Sequence, residues 1–137
     1  MITAKVTTNP IFAEQLAKEV RSPEAGAVVT FSGEVRNHDK GRIVTALTYE
    51  IHPSAQSVIE RITNEVAQKF EIKNVSVAHR YGAIAIGESA IVVAVSAAHR
   101  KAALDCCEAL VEKVKSELPI WKYQEFADGS SEWVNSA

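Results

Sequence analysis

Read from the N-terminus, the apolar positions first alternate and then fall into helical spacing. Ile2 to Thr7 predicts a short strand. Asn9-Pro10 then offers an N-cap followed by proline at the first helical position, opening a helix to about Arg21 that Ser22-Pro23 closes. From Gly26 the β-branched and aromatic run Ala27 to Arg36 predicts a strand with an irregularity at Gly33. Asn37 to Gly41 has turn composition, and alternation resumes from Ile43 to Ile51, so a long hairpin is the simplest expectation. Pro53 starts a second helix in which Val58, Ile62, Val66 and Phe70 share one face.

Val75, Val77, His79 and Tyr81 alternate with smaller or polar residues, and Gly82 and Gly87 frame a loop before the uninterrupted apolar strand Ala90 to Val95, which reads as central in its sheet. Ser96 is a candidate cap for a third helix over roughly Ala98 to Glu117. Its stripe is Ala103, Cys107, Leu110, Val114 and Leu118, and Pro119 ends it. Trp121 to Phe126, a turn at Asp128-Gly129 and an extended piece at Glu132-Trp133-Val134 complete the chain. The order βαββαββαββ predicts an α+β fold, a two-layer sandwich of helices on a mixed or antiparallel sheet with additional short strands.

Composition narrows the function classes. The 137 residues suit one domain spanning 1–137, and 47% hydrophobic with 23% charged residues is ordinary for a globular chain. A net charge of −2, from 15 Lys+Arg against 17 Asp+Glu, argues against a nucleic-acid binder. The longest apolar runs fall well short of the ~20 residues a membrane span needs, and Met1 to Lys5 carries no export signal, so no membrane partner and a cytoplasmic location are expected.

Candidate chemistry is local. His99-Arg100 follows a core strand and opens a helix, where free N–H groups favour anions. Arg36 ends a strand in Glu34-Val35-Arg36-Asn37-His38-Asp39, where a guanidinium can meet a planar or tetrahedral anion. Lys115 lies in the last turns of the third helix and Lys122 just past Pro119-Ile120-Trp121, so the two can converge, with mutual repulsion and nearby apolar surface pulling their titration toward neutrality. By themselves these residues equally suit surface ion pairs, a solvated hairpin end and a helix-dipole lysine. Cys106 and Cys107 lack the C-x-x-C spacing and read as core. No metal-ligand spacing, glycine-rich phosphate loop or G-x-S-x-G elbow is present.

Together, Gly26 to His38, Ala98-His99-Arg100, Lys115 and Pro119-Ile120-Trp121-Lys122 closely resemble the large, catalytic subunit family of molybdopterin synthase, in order and spacing, from about residue 2 to Val134. The resemblance implies a sulfurtransferase that turns cyclic pyranopterin monophosphate into the dithiolene of molybdopterin. The sulfur arrives on a small ubiquitin-like partner with a C-terminal Gly-Gly thiocarboxylate, and neither a metal nor an organic cofactor is needed. By position, Arg36, His99 and Arg100 would hold phosphate and pterin, with Glu34 and Val35 as pocket wall. Lys115 and Lys122 would stand at the reacting end, Tyr123 and Gln124 beside them, and Lys115 would be the essential group. Glu34 departs from relatives that carry a basic residue there, so its main chain rather than its carboxylate is expected to matter.

Geometry adds one expectation. His99 and Lys115 are 16 positions apart on one predicted helix, which separates their Cα atoms by ~24 Å, too far for a small pterin to join. A twofold homodimer, in which His99 and Arg100 of one copy complete the pocket holding Lys115 and Lys122 of the other, resolves this and gives a heterotetramer once two sulfur carriers bind. A phosphoesterase acting on another phosphorylated small molecule, and a non-enzymatic module that binds an acidic protein tail, are the competing readings.

Overall fold

The structure, a computed structural model, describes residues 1–135 and 137. Strands β1 (Ile2–Thr7), β5 (Asn74–Arg80), β7 (Ser89–Ala97) and β2 (Ala27–Glu34) form a four-stranded mixed sheet in the order β1-β5-β7-β2, with β1 parallel to β5 and the other pairs antiparallel. A second sheet has the order β3 (His38–Asp39), β4 (Arg42–Ile51), β8 (Ile120–Phe126), β9 (Ser131–Val134), and β6 (Gly82–Ile84) also pairs with β4. The helices are α1 (Ala13–Val20), α2 (Ala55–Ala67) and α3 (Arg100–Glu117), as an α+β architecture requires.

Residue size along the first sheet decides how the layers pack. Val75, Val77, Val93 and Val95 belong to the main core with the buried faces of α2 and α3. The small Ala78 and Ala94, with Val92, form a second cluster with Ile11, Leu16 and Val20, which lets α1 close on that side. β7 is buried from Ala90 to Ala97 and lies between β5 and β2, the central position that its unbroken apolar run predicts. Among the described residues no helix is long and apolar enough to cross a membrane.

Several local expectations change. Asn9 does not cap α1: the helix starts at Ala13 after Phe12, and Ile11 is instead buried as an anchor on the extended approach. Ser96 does not cap α3 either. Its hydroxyl is buried, donating to the Val20 carbonyl at 2.6 Å and accepting from the Asn74 N–H, so it ties α1 to the first sheet while His99 takes the cap position. The long hairpin is absent, because β2 pairs with β7 whereas β4 pairs with β8. The chain changes sheets at Val35 to Asn37, and the turn there is the short β3–β4 hairpin, closed by Lys40 and Gly41 at φ 50° and 80°.

Candidate active site

The change of sheet builds the site. At the Gly33/Glu34 bulge β2 leaves register with β7, and a Cβ on Gly33 would lie 2.6 Å from Ile91 Cγ2, so only glycine lets the strand approach here. Val35 then exchanges main-chain hydrogen bonds with the Gly87-Glu88 loop, and the following residues swing across to the second sheet. A cavity of about 250 Å³ opens beneath this crossover.

Its lining comes from six places in the chain. Gly33 to Arg36 and His38 form one wall, Ala90 and Ile91 of β7 another, and Leu47 and Tyr49 of β4 stand beside Lys122 and Gln124 of β8; Lys115 of α3 and Ala137 complete it. The β4–β8 ladder explains the second pair of residues. Leu47 lies opposite Gln124 and Tyr49 opposite Lys122, so period-two alternation turns all four to one face. Lys115 Nζ donates to the Ala137 main-chain oxygen at 3.5 Å.

The convergence of the two lysines, expected from their spacing, is present, and Glu34, Val35, Arg36 and Gln124 join them. Tyr123 does not. It sits between Lys122 and Gln124 on β8 and therefore faces the other side of the sheet, where its ring packs on Trp133 with centroids 4.8 Å apart. His99 and Arg100 are exposed at the start of α3 and do not line the cavity that holds Lys115, near the far end of the same helix.

Electrostatics at the cavity is dominated by its cations. Burial lowers the Lys122 pKa; Asp39 opposes that shift, while Lys115 and Arg36 add to it and Glu132 works against it. Asp39 is held below the usual carboxylate range, chiefly by the hydrogen bond from Gln124. The Tyr49 phenol is pushed up to about 12 by burial and stays neutral. Behind it, His79 packs edge-on to Tyr49 with ring centroids 5.1 Å apart and donates from Nδ1 to the Arg80 carbonyl at 2.8 Å. Burial drives His79 down to about 4, and the Lys115 charge adds to the shift.

Asp39 and His79 are site neighbours that sequence reasoning did not single out. Their side-chain partners are distant in sequence, Gln124 for Asp39 and Tyr49 for His79, and only the polar cluster Asn37-His38-Asp39 gave a signal for the first. Cys106 and Cys107 are free, buried in the main core, and raised to about 11 by burial, which suits packing rather than sulfur chemistry. Among the described residues, no three His, Cys, Asp or Glu side chains are grouped to hold a metal ion.

The family model described as MoaE protein matches residues 6–117, which include the crossover, the α3 start and Lys115. The chain belongs to the MoaE family. A molybdopterin synthase catalytic subunit from Bacillus subtilis (strain 168) is 39% identical over 131 residues, covering 95% of this chain and 83% of that protein. One from Thermoplasma volcanium is 37% identical over 130 residues, covering 94% and 95%. A solved molybdopterin synthase structure from Staphylococcus aureus superposes with a TM-score of 0.86 at 34% identity, covering 94% of both chains. The MoaE assignment thus spans both sheets and all three helices, and it agrees with the resemblance carried by the crossover, His-Arg and Pro-x-Trp-Lys residues.

Proposed function

We propose that this chain, as a molybdopterin synthase catalytic subunit, is a sulfurtransferase that moves two sulfurs from a partner's C-terminal thiocarboxylate onto cyclic pyranopterin monophosphate. The observation that carries this reading is the meeting of Lys115, Lys122 and Arg36 in one small cavity, with the polar Gln124 and His38 and the apolar Leu47 and Ile91 also in its lining. A thiocarboxylate is an anion on a slim peptide end, and a cationic cavity of limited width favours such a group over a bulky side chain. For each sulfur the thiocarboxylate displaces an oxygen from a side-chain carbon of the pterin precursor, so that a carbon–sulfur bond forms as a carbon–oxygen bond breaks and the oxygen leaves protonated. Water then cleaves the acyl–sulfur bond, leaving the sulfur on the pterin and the carrier as a carboxylate. The negative charge that develops on the acyl oxygen during that cleavage is stabilised by an adjacent ammonium.

Lys115 is the principal group in this scheme. Lys122, more desolvated and next to a second lysine, is the better candidate for exchanging a proton. Arg36 holds the substrate phosphate or pterin from the crossover, Val35 and Glu34 supply wall, and Gln124 offers its amide to the substrate. The small sulfur carrier is ubiquitin-like and ends in Gly-Gly.

A second copy completes the pocket. One chain's cavity, about 250 Å³, is below the ~300 Å³ at which small-molecule pockets usually begin, so a phosphorylated pterin is only partly enclosed by it. His99 and Arg100, exposed at a free helix start, are then the phosphate-binding groups that the twofold mate provides. With two carriers bound, the assembly is a heterotetramer.

The test is reconstitution: this chain, the pyranopterin and a thiocarboxylated Gly-Gly carrier are incubated together and dithiolene product is measured. Product that depends on the carrier supports the reading. Turnover of a phosphate ester without any carrier would favour the phosphoesterase instead, and carrier binding with no product at all would leave a tail-binding module.

A further inference from the structure

Asp39 is a two-handed carboxylate between the crossover and the floor of the cavity. Its Oδ1 lies 3.5 Å from Arg36 Nη2, and its Oδ2 accepts a 2.9 Å hydrogen bond from Gln124 Nε2. Gln124 is 3% exposed and 85 positions away in the chain, so this contact ties β3 directly to β8. A carboxylate can only accept. The Gln124 amide must therefore turn its NH₂ to Asp39, which leaves its carbonyl oxygen, an acceptor, for donors inside the cavity.

We propose that Asp39 is a positioning residue of the active site, fixing the Arg36 guanidinium and the Gln124 amide in one orientation and placing a negative charge near the Lys122 side chain. It rests on the sulfur-transfer reading for its consequence in turnover, though not for its electrostatics. The arrangement around Lys122 is asymmetric. Lys115 from α3 and Arg36 from the crossover oppose its charge; Asp39 from β3 and Glu132 from β9 favour it; Tyr49, opposite on β4, is neutral. Asp39 itself faces Lys122, Arg36 and Lys40 and stays ionised at neutral pH. Removing its charge while keeping its shape leaves two cations and one carboxylate about Lys122, and frees the guanidinium and amide to rotate.

Asp39→Asn, nearly isosteric, and Asp39→Ala are compared with the wild type in two measurements. In the first, the Lys122 Cε resonance is followed by NMR against pH, without substrate or carrier. The midpoint is expected to fall in both variants. In the second, turnover with carrier and pyranopterin is followed against pH: kcat drops about 10- to 100-fold from mispositioning, and its alkaline limb moves to lower pH together with the Lys122 midpoint. An Asp39→Asn protein whose Lys122 midpoint and alkaline limb both equal those of the wild type overturns the proposal. So does a loss of activity with those two readouts unmoved, because that is what a merely structural role produces. Failure of the wild type to make dithiolene instead sinks the sulfur-transfer reading and leaves the NMR comparison standing.

Discussion

Tyr49 stands directly opposite Lys122 in the β4–β8 ladder, with the buried His79 ring edge-on behind it. The phenol ring thus separates the lysine-bearing cavity from the core of the first sheet. Tyr49→Ala is expected to destabilise the fold by about 3–5 kcal/mol through the void it leaves, by analogy with other large aromatic truncations. Tyr49→Phe keeps the wall and is expected to stay within about 1.5 kcal/mol of the wild type. Urea unfolding of the two variants, read against the wild type, checks both numbers.

His79 makes stability depend on pH in a defined window. Its pKa falls from 6.5 to about 4 on folding, so between those values the unfolded chain binds a proton that the native chain refuses. Stability contributed by the neutral ring is complete above about 6.5 and is lost progressively as pH falls toward 4, by up to about 3 kcal/mol. Depressed carboxylates act lower: Asp39 contributes above its unfolded value of 3.8 and loses that contribution as pH drops below it. Urea midpoints at pH 7.5 and 4.5 should differ clearly in the wild type. His79→Gln should flatten the difference, and an equal slope in that variant would assign the effect elsewhere.

Gly26 sets the start of α3 from the opposite side. A Cβ there would meet the Ala98 main-chain oxygen at 2.8 Å, just before His99 and Arg100. Gly26→Ala must therefore push backbone, at a cost of about 1–3 kcal/mol. It should also raise KM for the phosphorylated substrate more than it lowers kcat, because it displaces the binding groups and leaves the lysines in place. A lowered kcat at unchanged KM would argue that the α3 start has no part in substrate capture.

Much of this geometry was legible beforehand, and the failures share a cause. Gly33 announced its bulge, the apolar run of β7 its central place, and the Lys115 and Lys122 spacing their convergence, because each is written in neighbouring residues. The hairpin expected from Ala27 to Ile51 failed because β2 and β4 find partners 55 or more positions away, β7 and β8, and nothing local distinguishes a turn from a change of sheet. Ser96 looked like a cap because a serine before a helix usually is one. Its actual partner, the Val20 carbonyl, is 76 positions off. Asp39 and Gln124 were unreadable as a pair for the same reason, and Tyr123, which the resemblance sets beside Lys122, turns to the other face of an alternating strand and packs on Trp133.

The twofold arrangement makes a complementation prediction. Lys115→Ala and Arg100→Ala are each expected to be nearly inactive alone, since every pocket then lacks one group. Co-refolded in equal amounts, half of the dimers carry one intact pocket, so activity should return to about a quarter of the wild-type value per chain. Recovery no greater than the sum of the parents contradicts a shared pocket.

Neither buried thiol should carry sulfur. Cys106 and Cys107, both pushed up to about 11, remain protonated at neutral pH and are expected to resist a thiol reagent in the native protein while reacting promptly in urea. Cys106→Ala and Cys107→Ala, where they fold, should transfer sulfur at rates within a few-fold of the wild type.

The central claim is that the cavity lysines act on sulfur transfer itself, and single-turnover kinetics with saturating thiocarboxylated carrier tests it most directly. Lys115→Ala should still bind the carrier yet form dithiolene about 10²- to 10³-fold more slowly. A Lys115→Ala protein that turns its bound carrier over at the wild-type rate would contradict the account.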